Sequence, residues 1–281
     1  MNRPLRDPAR TGRQLDLVFR TGPDGATFLS RQVAGFPFHI TRPFMLDRAP
    51  AGMATLILQS VGAGILQGDR IDLAVEAEAG AAVHLTTQAS TIVHSMTTDH
   101  ATQVARVTVR QRAFMEYLPD PLILFPACRL KTRLELVIEP EATLVWCDGY
   151  IMHDPKGGDG CFAELAAETE LLRGGRTLAL DRFAIDGAAM AGGRSATAGY
   201  AIHASFGVVA DVDLQVLLGE LRRAVAPVAD TYAGLSLLPH EAGLWCRLLA
   251  RDGVAWRRGL ETLWSTTRRH MTGIEPRPRR K

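Results

Sequence analysis

Three carboxylates beside turns are the first residues in this chain with chemistry to offer. Asp69 closes the glycine-rich run Val61-Gly-Ala-Gly-Ile-Leu-Gln-Gly-Asp69, and Glu116 and Asp120 bracket Pro119 next to apolar strands. A carboxylate near buried apolar sequence needs a partner or a task, because an isolated charge is costly away from water. Paired acids in such places can support hydrolysis or elimination. A β-rich hydrolase or lyase using Asp69, Glu116 and Asp120 is therefore one reading. Against it, no Gly-x-Ser-x-Gly is present and no cysteine has a histidine neighbour.

Histidines offer a second chemistry. His94, Asp99 and His100 would ligate a metal if a turn folded them together, although their spacing matches no zinc or iron pattern. His39, His84, His153, His203 and His240 are scattered and read as exposed or hydrogen-bonded side chains. The glycine run lacks the Lys-Ser/Thr of a nucleotide loop and leads into an alternating strand. With no helix N-terminus there to gather N–H groups around a phosphate, it reads as a tight bend. Thr86-Thr-Gln-Ala-Ser-Thr91 interrupts an apolar strand with hydroxyls. It is either the polar edge of a sheet or the lining of an internal polar passage.

The elements that must position these residues are mostly strands. Ile71, Leu73, Val75 and Ala77 alternate with polar residues, as do Ala105, Val107, Val109 and Leu130, Leu134, Leu136, Ile138. A period of two means one buried and one wet face, and it predicts antiparallel sheets. Gly174-Gly175 predicts a hairpin turn. After Asp211 the period changes: Leu214, Leu217, Leu218 and Leu221 predict a helix ending before Pro227. A strand over Leu244–Leu249 follows, then a helix from Asp252 to His270. That helix is expected to carry Val254, Leu260, Leu263, Trp264 and Thr267 on one stripe and Arg257, Arg258, Arg268 and Arg269 on the opposite, basic side. Trp256 and Trp264, with Arg257 and Leu260, would either form exposed aromatic anchors with an arginine rim for a partner or pack on the β-body. The tail Glu275–Lys281 reads as solvated. The fold class is mainly β, a many-stranded, loosely β-helical or sandwich-like body with two α-helices in the C-terminal region.

Composition narrows the function classes. The 281 residues are 47% hydrophobic and 22% charged, which excludes wholesale disorder and coiled coil. Thirty-two Lys+Arg against 30 Asp+Glu, with 6% aromatics, argues against a nucleic-acid partner. Four cysteines (Cys128, Cys147, Cys161, Cys246) without a Cys-x-x-Cys pair fit a reducing compartment. The most apolar window, Met53–Leu66, is shorter than the ~20 residues a membrane helix needs. A cytoplasmic protein with no membrane partner is expected.

Three stretches in series resemble the urease accessory protein UreD (UreH) family: Gly64-Ile-Leu-Gln-Gly-Asp69, Leu85-Thr-Thr-Gln-Ala-Ser-Thr91, and Glu116-Tyr-Leu-Pro-Asp-Pro-Leu-Ile-Leu-Phe125. Ala63, Gln67, Ile92-Val93-His94 and Leu124 depart from the usual family residues. The resemblance implies one UreD-like domain over 1–281, with a β-rich body at 14–210, a mixed helical part at 211–272 and a basic tail at 273–281. It also implies a non-catalytic scaffold that helps place nickel in apo-urease. The implied partners are UreF, the GTPase UreG and the UreA, UreB and UreC subunits of apo-urease. No cofactor is implied as tightly bound; nickel(II) would be in transit, and GTP would be used by the partner. On this reading Asp69, Glu116, Asp120 and His94 touch nickel in passing, while Thr86, Thr87, Gln88 and Ser90 line an internal tunnel. Weak oxygen and imidazole donors suit an ion that must be released.

Overall fold

In the computed structural model, which describes residues 12–191 and 195–279, the alternating segments become strands with one face buried. In β5 (Arg70–Ala77), Ile71, Leu73, Val75 and Ala77 are buried and Arg70 is exposed. β8 (Ala101–Val109) and β11 (Arg129–Ile138) repeat the pattern. Their outward residues pair across strands: Arg106 with Glu135 at 2.8 Å, and Arg110 with Glu76 at 2.7 Å and Glu139 at 2.9 Å. Exposed pairs of this kind add little stability each, about 0–1 kcal/mol, but they keep this face wet.

The strand pairing differs from the antiparallel expectation. β1 (Leu15–Thr21), β5, β8, β11 and β13 (Glu164–Arg173) are successive parallel neighbours in one sheet. A second sheet carries β4 (Ala54–Ser60), β6 (Ala82–Thr87), β9 (Phe114–Leu118) and β12 (Thr143–Met152), also parallel. The chain visits the two sheets in turn, β4-β5-β6-β8-β9-β11-β12-β13, which gives a solenoid-like stack. Parallel strands usually lose alternation because helices cover both sheet faces. Here each crossover is another strand, so the first sheet keeps an outer face in water and the period of two survives.

Antiparallel strands finish the stack. β2 (Thr27–Ala34) pairs with β1, and β14 (Arg176–Ile185) pairs with β13 through Gly174 and Gly175, at φ 58° and 76°. In the second sheet β15 (Ile202–Val209), β17 (Leu244–Ala250) and β16 (Thr231–Leu237) follow β12 in that spatial order, and β16 is a strand the sequence patterning did not reveal. At the other edge β3 (Phe38–His39) pairs with β4. Two short strands, β7 (Ile92–Val93) and β10 (Leu122–Leu124), pair with each other, and β10 with β12. Among the described residues there are thus seventeen strands.

Besides a single turn, α1 (Gly187–Met190), two helices cover the second sheet. α2 (Leu214–Val225) starts where Asp213 accepts from the N–H groups of Gln215 and Val216 and buries Leu217, Leu218, Leu221 and Val225. α3 (Gly253–Thr272) starts where Asp252 accepts from Val254 and Ala255, and it ends at Gly273, whose φ of 73° suits a residue without Cβ. No helix is long and apolar enough to cross a membrane. One core lies between the sheets, and a second lies between the outer face of β12, β15 and β17 and these helices.

The glycine run does form a bend. Ile65 exchanges backbone hydrogen bonds with Ile92 and His94, at 2.7 and 2.9 Å. Gly64, at φ 129°, lies so close that a Cβ would stand 2.4 Å from the Ile92 carbonyl oxygen. Gly64→Ala is expected to destabilise by about 1–3 kcal/mol, seen as a lower urea midpoint with an unchanged slope.

Candidate functional site

Pleating decides what each strand residue can reach. On β6, Val83, Leu85 and Thr87 face the first sheet, while His84 and Thr86 face α3. On β9, Met115 and Tyr117 face inward and Glu116 and Leu118 face the helix. Register then sets His84 directly beside Glu116. The adjacent hydroxyls Thr86 and Thr87 therefore serve two different spaces.

The first space is a cavity of about 100 Å³ between the sheets, whose polar walls include Thr87, Thr91, Gln103, Asp120, Thr132 and Asp148. Asp120 is tied to Thr87, whose hydroxyl accepts from the Asp120 N–H at 2.8 Å and donates to its carboxylate at 3.2 Å. At one end Ser60, Gly64 and Thr91 belong also to a surface cleft of about 310 Å³ that Gln88 and Ser90 line. At the other, Asp120 belongs also to a small chamber of about 50 Å³ under α3. His84, Thr86, Trp256, Arg257, Leu260 and Trp264 line that chamber, with Glu261 and Arg279.

Beneath the chamber lies a buried ionic network. Arg268 donates to both oxygens of Glu116, from Nε at 2.7 Å and from Nη2, and its Nη1 donates to the Ala49 carbonyl at 2.9 Å. His84 Nδ1 meets Glu116 Oε2 at 2.6 Å. Asp47 approaches Arg268 at 3.6 Å and accepts from the Arg277 N–H at 2.9 Å and from the Arg279 guanidinium. Arg279 also lies over the Trp264 ring, 5.0 Å from its centre. Burial pushes the Glu116 carboxyl upward, but the His84 hydrogen bond and the Arg268 charge outweigh it and hold the group at about 2. Burial takes His84 down to about 4 against the pull of Glu116, so the ring is neutral at physiological pH. The burial of Asp148 raises its carboxyl against hydrogen bonds from Thr169 and Ser205.

Several sequence expectations are corrected by this geometry. Asp69 lines none of these spaces; its carboxylate caps its own turn, accepting from the Leu66 N–H at 2.8 Å. Glu116 has both oxygens engaged by Arg268 and His84 and lies behind the chamber wall. His94 meets the Ala63 carbonyl through Nε2 at 2.8 Å, and the His100 ring pairs with Asp99 at 3.1 Å. Among the described residues no three His, Cys, Asp or Glu side chains gather around a possible metal position, so the cluster of His94, Asp99 and His100 does not form. The three acids are engaged separately, Asp69 by its own turn, Glu116 by Arg268 and His84, and Asp120 by Thr87.

Trp256 and Trp264 are buried, at 5% and 6% exposure, so of the two readings they pack on the β-body and are not surface anchors; Val254, on the same stripe as Leu263 and Trp264 by spacing, is 61% exposed while those two are buried. The inward face of α3 is set by Trp256, Gly259, Leu263, Trp264, Thr267 and Arg268. Arg268, assigned to the basic solvent side, is fully buried. The tail is not free in solvent as far as Arg279, since Asp47 holds it; Arg280 and Lys281 lie outside the described residues. Sequence reading missed Asp47, His84, Asp148, Arg268 and Arg279. One signal was available for Arg268: it follows Trp264 by four residues, on the same helix face.

Comparison with known proteins adds an independent line. Residues 11–281 match the family profile described as UreD urease accessory protein. The chain is 36% identical over 282 residues to a urease accessory protein UreD of Pseudomonas syringae pv. syringae, covering 98% of this chain and 97% of that protein. It is 37% identical over 279 residues to one from Methylorubrum populi, covering 99% and 95%. A more distant UreD of Streptomyces griseus is 32% identical over 272 residues, covering 95% and 92%.

Proposed function

We propose that this chain, which belongs to the UreD family of urease accessory proteins, is a conduit through which nickel(II) passes on its way to apo-urease. Membership itself makes it a non-catalytic participant in urease maturation, associated with urease and other accessory proteins. The conduit is the finer reading. It is carried by one observation: the surface cleft, the inter-sheet cavity and the helix-side chamber form a series in which neighbours share wall residues, Ser60, Gly64 and Thr91 at one junction and Asp120 at the other.

The chemistry of the walls suits a transient cargo. Threonine hydroxyls, Gln103 and the carboxylates of Asp120 and Asp148 offer successive oxygen contacts to a hydrated divalent ion. Oxygen donors and water bind nickel less tightly than thiolate sets do, so the ion can move on. The buried thiols Cys128 and Cys246 are held protonated by burial, up to about 12, and do not act as thiolate ligands. Delivery on this reading takes place in the cytoplasm, within a complex with UreF and the GTP-hydrolysing UreG, docked on the UreA, UreB and UreC subunits of apo-urease.

Asp120→Asn tests the reading, because it keeps the shape and removes the charge shared by two spaces. Urease matured with this variant is expected to contain several-fold less nickel, while the accessory complex still co-purifies. Normal nickel content would reject the conduit.

A further inference from the structure

We propose that Nε2 of His84 is a donor atom for a late first-row divalent cation, held in the chamber between α3 and the β6–β9 face. The inference deepens the conduit reading and rests on it for the identity of the ion as nickel.

Nε2 of His84 is buried and has no hydrogen-bond partner, although buried polar groups nearly always have one. Its ring cannot turn to find one. Nδ1 is tied to Glu116 at 2.6 Å, and the ring lies against Trp264, tilted by 31°, with centroids 5.1 Å apart. Glu116 is an ionised, acceptor-only partner, since Arg268 holds both its oxygens. The imidazole proton therefore sits on Nδ1, which leaves the lone pair on Nε2, and His84 is one of the residues that line the chamber. Histidines that ligate metals are oriented in this manner, with a carboxylate on the far nitrogen fixing tautomer and direction. Glu116 is then a positioning residue and not itself a nickel contact.

Asp120 lines the same chamber and the inter-sheet cavity, so an ion at His84 would have a carboxylate on its route. The charges nearest His84 are paired: Arg268 with Glu116 and Arg279 with Asp47. The Trp264 Nε1–H, also without a partner, is a donor for water that such an ion carries. One imidazole, one carboxylate and water make a site that binds and releases.

His84→Asn isolates the atom. The Asn amide nitrogen stands near the place of Nδ1 and still donates to Glu116, whereas Nε2 is gone. With the full-length chain and Ni²⁺ alone, equilibrium dialysis is expected to show about tenfold or greater loss of affinity at the tightest site, of the order seen when a metal site loses supporting groups. The variant should melt within a few degrees of the parent. Should it fail to fold, the parent decides the matter: in ¹⁵N-histidine-labelled protein, Ni²⁺ should broaden the His84 ring signal first among the eight histidines. Unchanged affinity in a folded His84→Asn chain, or a His84 signal indifferent to Ni²⁺, would overturn the proposal. Nickel bound at His84 while Asp120→Asn still loads urease normally would support the site and remove the conduit, so the two failures are separable.

Discussion

Arg268→Met is expected to destabilise the chain by about 3–5 kcal/mol, the loss seen when one partner of a buried ion pair is removed. Arg268 and Glu116 are both essentially inaccessible to water, and Arg268 also faces Asp47. Taking the guanidinium away leaves two carboxylates in a dry site with His84 and Arg279 as their remaining partners. The comparison that separates charge from packing is the double variant Arg268→Met with Glu116→Gln. It removes both charges and should lose clearly less than the sum of the single losses, because the two residues are directly coupled. Urea denaturation measures all three. A single loss under about 1 kcal/mol, the range of an exposed pair, would mean that water enters the site and that α3 is not held by this contact.

Ala105→Leu should separate stability from function in the opposite direction. Ala105 is buried on β8 and lines the inter-sheet cavity of about 100 Å³. A leucine side chain extends into that space, so the melting temperature should stay level or rise, as in other cavity-filling substitutions. On the conduit reading the same change obstructs the route, and nickel in matured urease should fall several-fold or more. Retained stability with normal nickel content would show that the ion does not travel between the sheets. Reduced stability would mean that the walls cannot accommodate the side chain, and Gln103→Leu, which removes a polar wall group with little change in volume, then replaces it as the test.

The resemblance stretches mark both backbone turns and cavity walls. Asp69 and Gly64 shape one bend, and Thr87 with Asp120 forms one local bridge. Residues adjacent in sequence, such as Thr86 and Thr87, part company because a strand sends neighbours to opposite faces. Sequence left Trp256 and Trp264 open as surface anchors or packed side chains, since an amphipathic pattern shows that a helix has two faces but not how wide the covered one is. On α3 the covered face extends to Arg268 because Glu116 waits there, 152 positions earlier in the chain.

Local patterning alone determined the strand-rich body, the Gly174-Gly175 hairpin, the helix start at Asp252 and the late pair of helices, because each depends on residues within one or two turns of each other. Parallel against antiparallel pairing was beyond its reach, since both leave the same period of two when one face stays wet. The buried meeting of Asp47, His84, Glu116, Arg268 and Arg279 was decided only by tertiary structure. A charge reads as solvent-exposed until the partner that compensates its desolvation is known, and here those partners are brought from five separate segments by the stacking of the coils and the docking of α3.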